Sequence, residues 1–310
     1  MIKTPICSLA GIEYPIFQGG MAWISDGKLA AAVSEAGGLG IISAMNADAA
    51  YLRSQIETAR SLTDKPFGVN IMLMSPFADE VAKVVAEEKI PIVTTGAGNP
   101  SKHMELWIAA GVKVIPVVAS VALAKMMTRA GASAIIAEGG ESGGHVGDTT
   151  TMALVPQVCN VTDLPVIAAG GIADGRGVAA AFMLGAQGVQ LGTRFLVADE
   201  CSVHPNYKDK VLKATDISTI ATGKRLGHPV RSLKTPFSRA YMKAEYDSNV
   251  SDVELEELGT GALRLAAIEG DNEKGCFPAG QIAGLVTKKQ PAAECGNLDG
   301  KNWLLYRNKY

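Results

Sequence analysis

Eight short apolar runs recur along the chain, and stretches with apolar and polar residues at helical spacing separate them. The stretches 27–36, 47–61, 76–88 and 101–110 show the helical spacing. The apolar runs cover residues 15–19, 38–43, 67–73, 90–96, 112–118, 132–138, 165–171 and 188–195. Eight alternating strand and helix units predict an α/β fold, the closed parallel (β/α)8 or TIM barrel, with functional groups at the carboxyl ends of the strands.

An open, doubly wound sheet is the alternative that the same alternation allows. That fold commonly carries a GxGxxG turn after its first strand or a GxxxxGK[ST] phosphate loop. Neither motif occurs there in this chain, so the pattern favours the barrel.

Basic residues precede acidic ones over 199–270, which predicts a helical insertion or lid subdomain after strand 8. The predicted barrel then comprises 1–198 and 271–290, and 291–310 forms an atypical C-terminal tail.

The seventh and eighth predicted strands both end in glycines. Residues 165–171 and 188–193 are apolar on both faces, as buried parallel strands are, and a helix-length segment capped by Asp174 connects them. Glycine lets backbone N–H groups come close to an anion, and these two strands supply a phosphate site in many such barrels. The alternative is that the glycines serve only tight turns. Together with the barrel, they predict a phosphorylated cofactor or substrate.

A glycine-rich loop follows the sixth predicted strand. The strand ends at Glu138, and the loop 139–147 contains His145. A histidine among glycines can approach a planar ligand and transfer a proton near neutral pH, which predicts a catalytic role for His145. Surface or core roles are expected for the other histidines, His103, His204 and His228.

Small and amide residues follow other strands. Residues 18–22, Asn70 and residues 94–98 are predicted to line the mouth of the barrel with hydrogen-bonding groups and few charges. Such a mouth suits an uncharged heteroaromatic ring with a phosphate tail.

The composition of the 310 residues, 47% apolar and 19% charged, is that of an ordinary globular chain. A net charge of −2 argues against nucleic acid as the main partner. Five scattered cysteines and the lack of a signal peptide or membrane-spanning run lead us to expect a reduced, cytoplasmic protein. The metal motifs HExxH and EF-hand and the GxSxG elbow of serine hydrolases are absent, so we expect no metal site and no serine nucleophile.

Six segments of the chain resemble one family of flavoenzymes over about residues 5–290. The segments are 14–23, 66–73, 94–101, 143–147, 168–175 and 204–208. They are similar to the FMN-dependent enoyl-acyl-carrier-protein reductases of type II and, less closely, to the nitronate monooxygenases. Segments 94–101 and 204–208 look more like the reductases. The stretch 291–310 departs from the long terminal helix of the family, which affects the expected dimer contacts.

The resemblance implies roles for particular residues. Gly20, Met21, Ala22 and Asn70 would border the isoalloxazine ring, and Glu138 would also contact the cofactor. Gln281 would lie in the segment that closes over the flavin, where the reductases respond to a monovalent cation. The ribityl phosphate would be held by Gly170, Gly171, Gln190, Gly192 and Thr193.

The implied activity is the reduction of the 2,3 double bond of an enoyl-acyl-carrier-protein thioester with NADH or NADPH, by a homodimer. Nitronate oxidation with dioxygen is the alternative among flavoenzymes of this fold. A flavin-free barrel, such as a sugar-phosphate isomerase or lyase, and a non-catalytic binding module are alternatives from other functional classes. Cations of the insertion, including Lys208, Lys210, Lys213 and Arg225, could dock the acidic carrier. A solvated helix surface is the other interpretation of these cations.

Overall fold

Eight parallel strands form one sheet that closes on itself. In the computed structural model, which describes residues 3–44 and 47–296, the strand order is β1-β9-β8-β6-β5-β4-β3-β2. The strands are β1 Ile16–Gln18, β2 Ile41–Ser43, β3 Gly68–Met72, β4 Ile92–Gly96, β5 Lys113–Val118, β6 Ile135–Glu138, β8 Val166–Ala169 and β9 Gly188–Leu191. Leu39 closes the ring: its N–H donates to the Ile16 carbonyl at 2.9 Å, and its carbonyl accepts from the Gln18 N–H at 2.9 Å. The predicted (β/α)8 barrel is confirmed.

Helices cover the outside of the barrel and connect its strands. Four of them begin at a side chain that accepts a hydrogen bond from the first turn, the N-cap residues Asp26, Asp48, Ser120 and Asp174. The helices are α1 Pro5–Ala10, α2 Gly27–Glu35, α3 Ala49–Leu62, α4 Ala78–Glu87, α5 Ser101–Ala109, α6 Val121–Arg129, α7 Thr151–Cys159, α8 Gly175–Met183 and α9 Thr193–Leu196. The four helical stretches predicted from spacing are confirmed within two residues at each end.

The barrel interior is filled with apolar side chains from alternate strand positions. This cluster contains Phe17, Ile41, Ile92, Ile115, Ile136 and Ile167, all fully buried. Ile6 and Ala10 of α1 belong to the same cluster, so α1 closes the amino-terminal end of the barrel. The opposite end, where the strands finish, is the end left for ligands.

The segment after β9 combines helices with a β hairpin. The hairpin strands are β10 Thr219–Thr222 and β11 Val230–Leu233, and β11 pairs antiparallel with the two-residue strand β7, Gly144–His145. The sequence prediction of a purely helical insertion missed this hairpin. The remaining elements are α10 Pro205–Leu212, α11 Pro236–Glu245, α12 Asp252–Gly259, α13 Ala262–Arg264, a π-helical turn Leu265–Glu269, a 3-10 turn Gln281–Leu285 and α14 Ala292–Gly296.

The structure describes only the first part of the C-terminal tail predicted from the sequence. The predicted atypical tail, 291–310, falls mostly on residues 297–310, outside the described residues. In the described part, α14 packs on the barrel, and the Cys295 thiol lies 3.8 Å from the Arg194 carbonyl oxygen.

Across residues 3–44 and 47–296, every helix is too short or too polar to cross a lipid bilayer.

Candidate active site

The loop after β1 is fixed by two buried side chains beneath it. Gln18 donates from Nε2 to the Ser25 hydroxyl at 2.8 Å, and its Oε1 accepts from the Ile41 N–H at 3.1 Å. The Ser25 hydroxyl in turn accepts from the Met21 N–H at 2.9 Å. Gln18 is fully buried, so these bonds are shielded from water. The backbone of residues 20–22 is therefore held rigidly at the mouth of the barrel.

Gly20 lies directly against Asn70. A Cβ atom added to Gly20 would be 2.3 Å from the Asn70 Cβ, so only glycine fits there. The Asn70 Oδ1 accepts a hydrogen bond from the Thr94 hydroxyl at 2.9 Å, which fixes the amide across β3 and β4. The predicted ring-binding residues after β1 and in β3 are thus brought together, with a flat backbone surface beside an oriented amide.

Glycines also open the mouth at the ends of β8 and β9. Gly170 and Gly171 have φ angles of +83° and +72°, a left-handed conformation that side chains rarely adopt. At β9, Gln190 lies beside Gly19, with its Cδ 3.3 Å from the position of an added Cβ. The Met21 sulfur is 3.7 Å from the corresponding position at Gly192. The predicted cofactor residues of strands 1, 8 and 9 therefore surround one opening.

A segment near the C-terminal end of the described chain joins this opening. The Gly280 N–H donates to the Thr193 hydroxyl at 2.9 Å, and the Gln281 N–H donates to the Glu141 carbonyl at 2.9 Å. Thr193 is nearly buried by this contact. The predicted site residues Thr193 and Gln281 thus share one strap, which ties the loop after β6 to the end of β9.

Glu141 lies at the same end of the barrel, and the sequence reasoning did not single it out. Its carboxylate accepts from the Thr151 N–H at 2.9 Å and from the Thr151 hydroxyl at 3.0 Å, at the beginning of α7. A Cβ added to Gly171 would lie 3.3 Å from its Oε1. A carboxylate at this distance repels a phosphate and attracts hydroxyl groups, so the Gly171 side of the opening suits a polyol, and the β9 side suits the phosphate.

His145 lies on β7, at the rim of the same mouth. Gly144, with φ +82°, turns the chain so that His145 pairs with Val230 of β11. The Arg231 Nε donates to the Gly140 carbonyl at 3.1 Å and secures the loop from the other side. A histidine expected at the catalytic face is therefore found there, and it is held by the hairpin.

His228 stacks on His145, which the sequence reasoning did not foresee. The ring centroids are 6.4 Å apart and the ring planes differ by 23°. His145 is exposed at the rim, but the surrounding protein atoms lower the pKa of its imidazole, and repulsion from His228 lowers it further. The neutral form of His145 is therefore favoured at neutral pH.

Glu138 ends β6 and faces a different environment. Burial raises the pKa of its carboxyl to about 7, with the neighbouring Ser142 hydroxyl opposing part of that rise. About half of the Glu138 carboxyls then carry a proton at neutral pH. A weakly charged mouth of this kind agrees with the expected uncharged ring.

The other two histidines have structural roles, as expected. His103 packs on Trp107 with ring centroids 5.3 Å apart, and the His204 Nδ1 accepts from the Asn206 N–H at the beginning of α10.

Three of the cations considered for a docking face make contacts within the protein. Lys208 is buried and donates to the Ala198 carbonyl at 2.6 Å. Arg225 bonds Asp252 at 2.8 Å and several backbone carbonyls of the loop before α12, and the Lys210 ammonium lies 5.1 Å from the Phe277 ring centroid. The charge pattern of the sequence did not predict these contacts.

The described residues contain no group of three or more histidine, cysteine or acidic side chains able to hold a metal ion.

Comparison with known proteins extends this description. The model of the nitronate monooxygenase family matches residues 3–87 and 75–295. The chain belongs to that family. The structure of FabK from Thermotoga maritima matches it with a TM-score of 0.97 and 51% sequence identity, over 100% of this chain and 98% of that one. The predicted kinship with the reductases and monooxygenases that share this barrel is confirmed.

Two relatives of this nitronate monooxygenase family member are named for different activities. A (3aS,4S,5R,7aS)-5-hydroxy-7a-methyl-1-oxo-octahydro-1H-indene-4-carboxyl-CoA dehydrogenase of Mycobacterium tuberculosis is 37% identical over 92% of this chain and 91% of its own length. A probable nitronate monooxygenase of Staphylococcus aureus is 32% identical over 92% of this chain and 93% of its own length. The chain is an oxidoreductase of this family, and its relatives differ in substrate.

Proposed function

We propose that the protein is an FMN-dependent enoyl-acyl-carrier-protein reductase that uses NADH or NADPH. The observation that carries this proposal is the likeness to FabK over the whole chain, at 51% identity and a TM-score of 0.97. The related acyl-CoA dehydrogenase adds support, because its named substrate is also a thioester. The proposed setting is the cytoplasm, and the proposed assembly is a homodimer.

The residues at the mouth fit FMN. Gly20, Met21, Ala22 and Asn70 offer a flat surface with one oriented amide for the isoalloxazine ring. Glu141 and Glu138 can accept hydrogen bonds from the ribityl hydroxyls. Gly192 and Thr193, at the β9 end, would hold the phosphate together with Gln190. Gly170 and Gly171, beside the Glu141 carboxylate, would border the ribityl chain that leads to it. Gln281 would help close the site, and a monovalent cation is proposed to act on the enzyme as it does on the reductases.

FMN, when bound, supplies hydride transfer from the reduced nicotinamide to the β-carbon of the enoyl thioester. The protein holds the reacting groups in line, and the rigid loop 20–22 is the part best fixed for that purpose. His145 provides the proton that the α-carbon of the substrate receives. Its lowered pKa makes the protonated form scarce at neutral pH, so the rate should fall as the pH rises through that pKa.

Nitronate oxidation is the second candidate, favoured by the same histidine. A neutral imidazole is the form that removes a proton from a carbon acid, and the surrounding protein atoms and His228 favour that form by lowering the pKa of His145. The relative from Staphylococcus aureus carries the name of this activity. In this reaction the rate would fall as the pH drops through the His145 pKa, the opposite direction from the reductase.

The two activities can be compared in one preparation. NADH-dependent formation of butyryl from crotonoyl-acyl-carrier protein would be measured by mass spectrometry under nitrogen, and oxygen uptake with propyl nitronate would be measured in air. We expect rapid reduction of the thioester and slow or no oxygen uptake. Fast oxygen uptake without thioester reduction would replace the proposal with the nitronate monooxygenase.

A further inference from the structure

A cavity of about 250 Å³ opens beside the loop that would border the flavin ring. It lies among the loops that follow β1, β2 and β3, at the carboxyl ends of the strands. Its aromatic walls are Trp23, Tyr51 and Phe77, and Ser25, Ser43, Ala47 and Asp48 complete the lining. Trp23 directly follows Ala22, so the cavity continues the predicted ring-binding loop.

The backbone holds Trp23 in an unusual conformation. Its φ angle is +60°, a value that bulky residues rarely adopt and that glycine would adopt freely. Hydrogen bonds from the Ile24 and Ser25 N–H groups to the Met21 carbonyl, at 3.1 and 2.9 Å, maintain this turn. Such strain concentrates at functional sites, and here its result is an indole on the cavity wall. Tyr51 and Phe77 remain more than a third exposed, so their rings are accessible to a ligand in the cavity.

The charge around the cavity limits what it can bind. Asp48 contributes to the lining, where it accepts from the Tyr51 N–H at 2.9 Å. Partial burial raises the pKa of the Tyr51 hydroxyl, and the negative charge of Asp26 raises it further. Glu80 accepts from the Ala49 N–H at 3.0 Å nearby. No lysine or arginine belongs to the lining among the described residues, so the field disfavours the phosphates of a nicotinamide dinucleotide.

We propose that this cavity binds the acyl chain of the thioester substrate. An uncharged hydrocarbon chain gains from contact with three aromatic side chains and, unlike a phosphate, is not repelled by the carboxylates. The inference rests on the proposed reductase function. It predicts that the enzyme prefers long acyl chains and that the preference arises at Trp23 and Phe77.

The test compares two substrates that differ only in chain length. The flavin-loaded enzyme would be assayed with crotonoyl and trans-2-dodecenoyl thioesters of the same carrier. Phe77→Ala should lower kcat/KM for the dodecenoyl substrate by roughly 10-fold or more, mainly through KM, and leave the crotonoyl value within about twofold. Trp23→Gly, which also relieves the backbone conformation, should act in the same direction. Tyr246→Ala is the matched control, because Tyr246 is an exposed tyrosine at the end of α11 that does not line the cavity. It should leave both values unchanged.

The outcomes separate this inference from the proposed function. A wild-type enzyme that reduces neither thioester would refute the reductase proposal, and the acyl site with it. A wild-type enzyme that reduces both, with Phe77→Ala and Trp23→Gly losing both substrates equally, would overturn the acyl site alone. Variants impaired only in flavin reduction by NADH would assign the cavity to the nicotinamide and also overturn the inference. Flavin absorbance and the thermal midpoint would identify any variant that fails to fold.

Discussion

The carboxyl of Glu138 should make the protein less stable as the pH rises, and Glu138→Gln should remove that loss. Burial raises its pKa in the folded state to about 7, from the ordinary 4.5. The folded protein therefore holds this proton where the unfolded chain has already released it. The stability that the protonated group gives is complete below pH 4.5 and is lost as the pH rises through 7. A difference of this size corresponds to about 3 kcal/mol in the free energy of unfolding.

The assay is urea unfolding at pH 5 and pH 8, on protein from which any flavin has been removed. Part of this stability is already lost at pH 5. The stability advantage of Glu138→Gln over wild type should therefore be larger at pH 8 than at pH 5 by about 2.5 kcal/mol. Glu57→Gln, at an exposed position on α3, is the matched control and should show no such difference. An equal effect of Glu138→Gln at both pH values would refute the reasoning, because the glutamine would then act through packing rather than through the proton.

Three further predictions concern the mouth of the barrel. His145→Ala should lower thioester turnover by about 10²- to 10⁴-fold with flavin retained; unchanged turnover would exclude a proton-transfer role. His228→Phe keeps a stacked ring but removes the repulsion that lowers the His145 pKa. The limb of the kcat/KM profile that reports His145 should therefore move to higher pH, and an unshifted limb would contradict the electrostatic coupling. Gly20→Ala should weaken FMN binding, measured by fluorescence titration, because its Cβ would collide with Asn70; Gly259→Ala is the control with ordinary contacts, and equal affinity of the two variants would count against the ring site at Gly20.

The sequence supplied the barrel because its signal is local and repeated. Each strand is a short apolar run between helices, and errors at single boundaries do not change a pattern of eight units. The glycine turns after β8 were also predictable from sequence, since Gly170 and Gly171 follow a buried strand and adopt a left-handed backbone. Turns of this kind can be predicted from sequence because the left-handed backbone favours glycine.

Features that depend on contacts between distant parts of the chain could not be predicted from the sequence. His228 is far from His145 in sequence and reaches it only because β11 pairs with β7. Glu141 belongs to the recognised glycine-rich loop, but its role needs the position of α7. The pKa of Glu138 depends on burial, and the burial of Lys208 turned an apparent surface cation into a structural one. In each case the deciding quantity is a tertiary contact.

The most direct test of the account follows the visible absorbance of the purified protein during two anaerobic additions. NADH or NADPH is added first, and crotonoyl thioester is added after the nicotinamide has reacted. We predict a yellow protein that the nicotinamide bleaches and that the thioester restores to yellow. A colourless protein unable to bind FMN, or a yellow protein that ignores both nicotinamides and is bleached by a nitronate, would contradict the proposed reductase.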